Sequence, residues 1–203
     1  MENKETKIIL GTHNSMSYLP CKLWVLRFFN MLFAQCQNKD IIEQYDEGAR
    51  VFDIRVYRDS NNDWGFAHGL IKYRSLQSIF SLINVLQHHN DFICGNGDQL
   101  YIRLILERYK SEEECEWFKS LCKNLELEFP EINFIGGNRK KDWKKLYTFK
   151  TDIPDSEVNQ LVSSMAEDAR WYEKFMPWAY ALRMNKKNKE KYKENCINLI
   201  DFI

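Results

Sequence analysis

Four ionisable side chains accompany three strand-like runs of this sequence: His13 follows the first run, Asp53 and Arg55 lie within the second, and His68 ends the third. Imidazoles titrate near neutral pH, so a neutral and a protonated histidine suit a reaction that takes a proton from an attacking hydroxyl and returns one to a leaving oxygen. A guanidinium suits a phosphate, because its planar fork stabilises charge on the non-bridging oxygens. The set predicts acid/base cleavage of a phosphodiester.

The elements that must position these side chains are short strands alternating with helices. Runs rich in β-branched and aromatic residues predict strands at Lys7–Thr12, Val51–Tyr57, Gly65–His68, Tyr101–Glu107, Ile132–Ile135, Leu146–Lys150, Trp178–Leu182 and Ile197–Phe202. Helical spacing of apolar residues predicts helices at Lys22–Phe33, Asp40–Glu47, Leu76–Gln87, Glu112–Leu127, Ser156–Phe175 and Asn185–Glu194.

This alternation indicates an α/β fold with a largely parallel sheet, and eight strands would close a compact or distorted (β/α)₈ TIM barrel. Such barrels typically need about 250 residues, so a chain of 203 implies trimmed helices. The four side chains would then meet at the carboxyl ends of the strands. The sequence has no Ser/Gly/Pro-rich linker and no internal repeat, which predicts one domain over residues 1–203.

The composition excludes several classes of protein. With 44% hydrophobic residues the chain can bury a core, and with 29 basic against 29 acidic residues it has no overall charge for binding nucleic acid. Neither a signal peptide nor a membrane-spanning apolar segment is apparent. The six cysteines form no CxxC pair and no zinc-type spacing with histidine, so we expect reduced thiols in a cytoplasmic monomer.

Four blocks resemble the X-domain of phosphatidylinositol-specific phospholipase C, above all its bacterial, single-domain branch: GTHNSMSY at Gly11–Tyr18, CQNKDIIEQYDEGARVFDIRVY at Cys36–Tyr57, AHG at Ala67–Gly69 and INLIDF at Ile197–Phe202. The resemblance is dense over residues 7–72 and thin between Lys110 and Asn195. It implies cleavage of an inositol phospholipid to diacylglycerol and a cyclic inositol phosphate.

The resemblance also implies a role for each matching residue. His13 corresponds to the general base, and His68 corresponds to the general acid that protonates the leaving oxygen. Asp201 matches the carboxylate that orients the base histidine, and Arg55 matches the arginine that binds phosphate in metal-independent bacterial enzymes. A phospholipid substrate and transient contact with a membrane surface follow as the expected partners.

Where this sequence has Arg55, the calcium-dependent eukaryotic branch has a carboxylate that helps to hold the metal. An arginine supplies positive charge directly and repels a cation, so we expect no cofactor. The alternative is a calcium ion, because Asn14, Asp53 and Glu107 match other ligand positions of that branch and offer oxygen ligands.

The substrate-contacting set is less completely matched than the catalytic one. Its predicted members are Asn14, Asp53, Gly69, Arg103, Glu107 and Lys150. Ile105 stands where the bacterial enzymes have a lysine that touches the substrate, and Arg103 or Lys150 are the predicted replacements. Two alternatives therefore stay open: a related phosphodiesterase acting on another lipid or glycerophosphodiester, with or without a metal, and a lipid-binding module without catalytic activity.

The predicted helix Lys22–Phe33 carries several aromatic residues, including Trp24, Phe28 and Phe29. Their spacing fits an outer helix that packs on the barrel wall, which is the interpretation we favour. The alternative is an anchor at a lipid surface.

Overall fold

The computed structural model describes residues 9–94, 99–107, 111–138, 147–150, 158–194 and 196–203. Its eight strands are β1 (Ile9–Thr12), β2 (Val51–Arg58), β3 (Trp64–His68), β4 (Ile71–Lys72), β5 (Tyr101–Leu106), β6 (Asn133–Asn138), β7 (Val158–Leu161) and β8 (Ile197–Ile200). Its α-helices are α1 (Arg27–Phe29), α2 (Ile41–Asp46), α3 (Ile79–Cys94), α4 (Glu112–Glu128) and α5 (Pro177–Asn188). Short 3₁₀ helices span Ser15–Tyr18, Trp24–Leu26, Glu173–Phe175 and Lys189–Lys191, and a π-helical turn spans Asn30–Ala34.

The expected α/β fold is confirmed, with a sheet that curls as a half barrel. Six strands run parallel in the order β6-β5-β2-β1-β8-β7. In the described part of the chain β6 and β7 each pair with one other strand, so the full closure that a (β/α)₈ barrel requires is not seen there. The other two strands are antiparallel: β3 pairs with β2, and β4 pairs with β3. The connection after β2 is a tight turn, in which Asp59 Oδ1 accepts the N–H groups of Asn61 and Asp63, and such a turn joins antiparallel strands.

The two faces of the sheet have different chemistry because side chains alternate along each strand. On β2, Phe52, Ile54 and Val56 belong to the large apolar cluster that also contains buried residues of α3 and α4. Val51, on the other face, belongs to a small apolar cluster with residues of β6 and β8, and Asp53 and Arg55 follow it on that face. The concave face is therefore apolar at the amino ends of its strands and charged toward the carboxyl ends.

Three of the predicted elements are wrong in the carboxyl-terminal half. Trp178–Leu182 lies within helix α5, which Pro177 begins and which buries Tyr180, Ala181 and Met184 on one face. The described part of Ser156–Phe175 forms β7 followed by turns, and the described part of Leu146–Lys150 is not a strand. Short apolar runs fit both periods, so tertiary packing decided these elements.

The segment Lys22–Phe33 is helical but irregular, and it does not pack as expected. Trp24 is 84% exposed and Phe28 is 62% exposed, so these aromatic side chains do not lie against the barrel wall. The segment is held instead by Asn30, whose Oδ1 accepts the hydroxyl of Tyr73, and by the buried Ala34. No described helix combines the length and the apolar composition needed to cross a membrane.

Candidate active site

The first and last strands bring His13 next to Asp201, 188 residues away along the chain. β1 and β8 pair in parallel with Thr12 opposite Ile200, and the His13 N–H donates to the carbonyl of Ile200 at 2.9 Å. The residues that follow the two strands are therefore neighbours. His13 Nδ1 and Asp201 Oδ1 lie 2.7 Å apart, and both side chains are buried.

Asp201 is held as a carboxylate by its contacts. Burial raises the pKa of this carboxyl, but the charge and hydrogen bond of His13 and the N–H of Ser163, which donates to Oδ2 at 3.0 Å, lower it below its usual value. An ionised carboxylate only accepts hydrogen bonds, so the proton of the His13 ring belongs on Nδ1. The other ring nitrogen, Nε2, is then left as an acceptor.

Arg55 faces that acceptor nitrogen from the middle of β2. Its Nη2 lies 2.6 Å from His13 Nε2 and 3.1 Å from Asp53 Oδ2, and its Nη1 lies 3.5 Å from Glu107 Oε2. The side chain is 1% exposed. The guanidinium is thus fixed in orientation by two carboxylates and points Nη2 at His13 Nε2.

Asp53 is ionised despite complete burial. Desolvation raises its pKa, but the positive charges of Arg55, Arg103 and His13 outweigh this and lower the pKa of Asp53 to about 2. Arg103 pairs with Asp53 in the parallel register of β2 and β5, so these two side chains lie side by side on the concave face. The N–H of Asn14 also donates to Asp53 Oδ2 at 3.3 Å.

His68, at the end of β3, stands across from His13 with 5.8 Å between the ring centroids. Its Nδ1 lies 2.7 Å from the carbonyl oxygen of Ala34 and donates a hydrogen bond to it. The other ring nitrogen, Nε2, is left for other partners. Burial, followed by the positive charges of Arg55 and His13, lowers the pKa of His68 to about 3. The ring is therefore neutral at pH 7 in the ligand-free protein.

Gly69, which follows β3, and Glu107, which follows β5, are hydrogen-bonded beside His13 and His68. The N–H of Gly69 donates to Glu107 Oε1 at 2.6 Å. Gly69 has φ +55, and Asn14 has φ 46, a left-handed conformation that asparagine tolerates better than most residues. The turn at Asn14 is what directs His13 and Asn14 into the site immediately after β1.

A cavity of about 800 Å³ opens over His13, Arg55 and His68. The cavity is also lined by polar residues that were not predicted from the sequence: Gln160, Ser163, Ser164, Tyr172 and Lys174. All five lie within the range predicted as a helix, Ser156–Phe175, and the motif resemblance is thin there. No sequence signal identifies them.

Of the predicted substrate-contacting residues, Lys150 lies apart from the others. Its side chain is exposed and its N–H donates to Glu126 Oε1 of α4 at 2.6 Å. Helix α4 packs on the apolar face of the sheet, away from the charged face. The structure brings together Asn14, Asp53, Gly69, Arg103 and Glu107, and leaves Lys150 outside this group.

The oxygen donors Asn14, Asp53 and Glu107 do not fit a calcium ion as arranged here. The Arg55 guanidinium is ion-paired with the carboxylates of both Asp53 and Glu107. A divalent cation between these oxygens would lie against a fixed positive charge, and like charges repel strongly in a buried site. Arg55 already neutralises the carboxylates that would attract the metal.

Comparison with known proteins gives a consistent result at the level of the fold. No family model matches the sequence, and no curated protein matches it either. Solved structures do match: phosphatidylinositol-specific phospholipase C from Listeria monocytogenes is 17% identical, with a TM-score of 0.66 over 97% of this chain and 88% of that chain.

Two structures of the Staphylococcus aureus enzyme are similar as well. A double mutant of that phospholipase C is 14% identical with a TM-score of 0.63 over 97% of this chain and 86% of that chain. A structure from work on modulation of its membrane binding is 16% identical, with a TM-score of 0.60 and the same coverage. At such identities the likeness shows the fold, which is that of the bacterial phosphatidylinositol-specific phospholipases C.

Proposed function

We propose that this chain, which has the fold of the bacterial phosphatidylinositol-specific phospholipases C, cleaves the phosphodiester of an inositol phospholipid by acid/base catalysis without a metal. One observation carries the proposal: His13, Arg55 and His68 line one cavity, and the Asp201 carboxylate lies 2.7 Å from His13 Nδ1. A base, a cation for phosphate and an acid are the groups that this reaction needs.

The first half of the reaction belongs to His13. Its Nε2 accepts the proton of the inositol hydroxyl next to the phosphate, and that oxygen attacks phosphorus. The Asp201 carboxylate, 2.7 Å from Nδ1, stabilises the imidazolium that forms. Arg55 turns its donors from His13 Nε2 to the non-bridging oxygens, where negative charge develops.

The second half belongs to His68. The bond between phosphorus and the glycerol oxygen breaks, and His68 Nε2 gives its proton to that oxygen, so that diacylglycerol and a cyclic inositol phosphate are released. The low pKa of His68 in the ligand-free protein arises from burial, followed by the positive charges of Arg55 and His13. A bound phosphodiester anion offsets these positive charges and raises the pKa, so the acid is loaded with its proton when substrate is present.

Metal independence is part of the proposal, and it is supported by Arg55. The guanidinium already provides a positive charge that pairs with Asp53 and Glu107. A cation is then not required to neutralise the phosphate in the transition state.

A lipid surface is the proposed source of the substrate. The segment 23–33 and Leu70 expose large apolar side chains, and on the other side of the cavity Trp171 and Phe175 are 79% and 64% exposed. Phe33 and His68 line the catalytic cavity and also a neighbouring apolar cleft formed by Leu26, Phe29, Leu70 and others. An apolar rim of this kind on both sides of a polar site favours contact with a bilayer interface.

A second candidate substrate is another glycerophospholipid, and Ile105 favours it. Ile105 is 1% exposed and offers no polar group, while Arg103 lies beside the Asp53 carboxylate. The polar groups facing the head-group side of the cavity are those of Gln160, Ser163, Ser164, Tyr172 and Lys174. These side chains would decide between an inositol and a different head group.

The test is a comparison of variants with a panel of phosphodiesters in the presence of excess EDTA. Wild-type protein should release the soluble phosphate product from phosphatidylinositol in micelles, and His13→Gln and His68→Gln should each lower turnover by about 10² or more. His88→Gln, an exposed histidine on α3, is the matched control and should keep full activity. Turnover of another glycerophospholipid alone would select the second candidate, and full activity of the His13 and His68 variants would refute the mechanism.

A further inference from the structure

Cys36 places a thiol next to the catalytic histidine, although the proposed reaction does not use it. The thiol is fully buried. Its backbone is held from two sides: the N–H donates to Ser17 Oγ at 2.9 Å, and the carbonyl accepts the N–H of Phe202 at 2.6 Å. The position of the sulfur is thus fixed relative to β8 and to the residue that follows it, Asp201.

Three different metal-binding groups meet at this point. Ligand atoms of His13, Cys36 and Asp201 all lie within 4.8 Å of one another. A second imidazole is close, since Nδ1 of His68 lies 3.9 Å from Cys36 Sγ. The three residues are far apart in the sequence, so their spacing does not predict a metal site.

The combination of thiolate, imidazole and carboxylate is typical of zinc, in contrast to the oxygen ligands that calcium prefers. Zinc bonds of about 2.0–2.3 Å in tetrahedral geometry place ligand atoms roughly 3.5 Å apart. His13 Nδ1 and Asp201 Oδ1 are 2.7 Å apart. This contact has to open by about 1 Å for both atoms to bind one ion. Of the three residues, His13 lines the cavity.

We propose that His13 Nδ1, Cys36 Sγ and Asp201 Oδ1 form a site for a thiophilic divalent cation of the zinc class. Binding releases one proton: the thiol proton of Cys36 goes to solvent. The single proton of the neutral His13 ring moves from Nδ1 to Nε2, so the Arg55 guanidinium, whose Nη2 lies 2.6 Å from Nε2, has to turn away from the ring. The site is separate from the oxygen-donor set of Asn14, Asp53 and Glu107.

A consequence follows for catalysis, and it rests on the proposed function. With the metal on Nδ1 and the proton on Nε2, His13 can no longer accept a proton from the attacking hydroxyl. Asp201 is also taken from its orienting role. The bound cation is therefore an inhibitor that acts through the base.

The binding test uses the full chain and cobalt(II), which reports a thiolate ligand by charge-transfer absorption in the near ultraviolet. One equivalent of cobalt should produce this absorption in the wild-type protein, and zinc should abolish it by displacement. Cys36→Ser should lose the absorption, whereas Cys122→Ser, which removes a thiol buried on α4, should keep it. If thermal unfolding shows that Cys36→Ser does not fold, Cys36→Ala replaces it in the cobalt measurement.

The inhibition test follows turnover during a zinc titration. Wild-type and Cys122→Ser proteins should lose activity with one equivalent and recover it with EDTA, whereas Cys36→Ser should need at least about tenfold more zinc. Unchanged cobalt absorption or unchanged zinc sensitivity in a folded Cys36 variant would overturn the site. If no wild-type turnover is found, the proposed function fails while the cobalt measurement still decides the metal site.

Discussion

The two histidines proposed for catalysis differ in the partner of Nδ1, and this difference supports the roles proposed for them. His13 Nδ1 lies 2.7 Å from the Asp201 carboxylate, whereas His68 Nδ1 bonds the neutral carbonyl of Ala34. Burial, followed by the positive charges of Arg55 and His13, lowers the pKa of His68. A base must become positive during the reaction, and an acid must lose a proton readily. The contacts around each ring match these two requirements.

The orienting role of Asp201 is tested by Asp201→Asn. The amide keeps the shape but removes the charge that stabilises protonated His13, so turnover should fall by about 10²–10⁴. The molecule contains a matched control, since Asp46 Oδ1 lies 2.8 Å from His89 Nε2 on the surface. Asp46→Asn should leave turnover unchanged. Equal turnover of the two variants in steady-state assays would show that Asp201 does not act through His13.

The protonation of His68 is measurable by nitrogen NMR of histidine-labelled protein, because the chain has four histidines. In the free protein the His68 pKa should lie near 3, far below the usual value of about 6.5. Inorganic phosphate should raise it, since the anion offsets Arg55 and His13. His68→Gln assigns the resonance. A pKa near 6.5 without anion would contradict the environment described for this ring.

At the scale of elements, strand β2 and the segment 22–34 position the chemistry in different ways. β2 uses the two-residue period: its apolar face belongs to the core with α3 and α4, and Asp53 and Arg55 share the concave face. The segment 22–34 is irregular, and it supplies the Ala34 carbonyl to His68 while it exposes apolar side chains. Strand β2 fixes Arg55, the proposed phosphate-binding residue, and the segment 22–34 connects His68, the proposed acid, to the exposed apolar side chains.

Contact of this segment with lipid is tested by Trp24→Ser and Phe28→Ser. Each variant removes an exposed aromatic ring, and burial of such a ring contributes about 1.5–3 kcal/mol, so affinity for phospholipid vesicles should fall roughly tenfold or more. Turnover of a soluble phosphodiester should not change. Leu127→Ser removes a side chain of α4 that is 66% exposed and is the control. Sedimentation with vesicles gives the affinity, and an equal loss in all three variants would reject the segment as a specific lipid contact.

For the whole molecule, the buried carboxylate of Asp53 makes stability depend on pH. Its pKa is about 2 in the folded protein and about 3.9 when unfolded, so its stabilising contribution is complete above pH 4 and is lost as the pH falls toward 2. A shift of this size corresponds to about 2–3 kcal/mol. The depressed pKa of His68 likewise makes the folded protein less stable as the pH falls, and this effect begins at about pH 6.5.

Urea unfolding between pH 7 and pH 2 measures this dependence. Asp53→Asn should be less stable than the wild type at pH 7, and the difference in free energy of unfolding should shrink by about 2 kcal/mol as the pH falls from 4 to 2. Comparing the variants removes the contribution of His68, which both contain. A difference that stays constant with pH would show that Asp53 is not held as a buried carboxylate.

Much of the architecture, and the grouping of the residues proposed for catalysis, could be predicted from the sequence, because these segments carry strong local patterns. β1, β2, β3, β5 and β8 coincide closely with β-type runs, and the residues proposed for catalysis follow or lie within four of these strands. The antiparallel pairing of β3 with β2 was not predicted from the sequence, since its direction is set by the tight turn after Arg58.

Other features depend on contacts that no local pattern encodes. The range Trp178–Leu182 is helical because Tyr180 and Met184 pack together, and this packing is visible only after folding. Cys36 reaches His13 and Asp201 only because β1 and β8 are neighbours. The polar lining of the cavity that includes Gln160 and Ser163 likewise arises from distant elements.

The most direct test of the account is phosphorus NMR of the purified protein with phosphatidylinositol in detergent micelles and excess EDTA. The account predicts a new resonance from cyclic inositol phosphate, because His13, Arg55 and His68 supply the base, the cation and the acid without a metal. Absence of the product with EDTA and its appearance with calcium would contradict the role given to Arg55. Absence under both conditions would contradict phosphatidylinositol as the substrate.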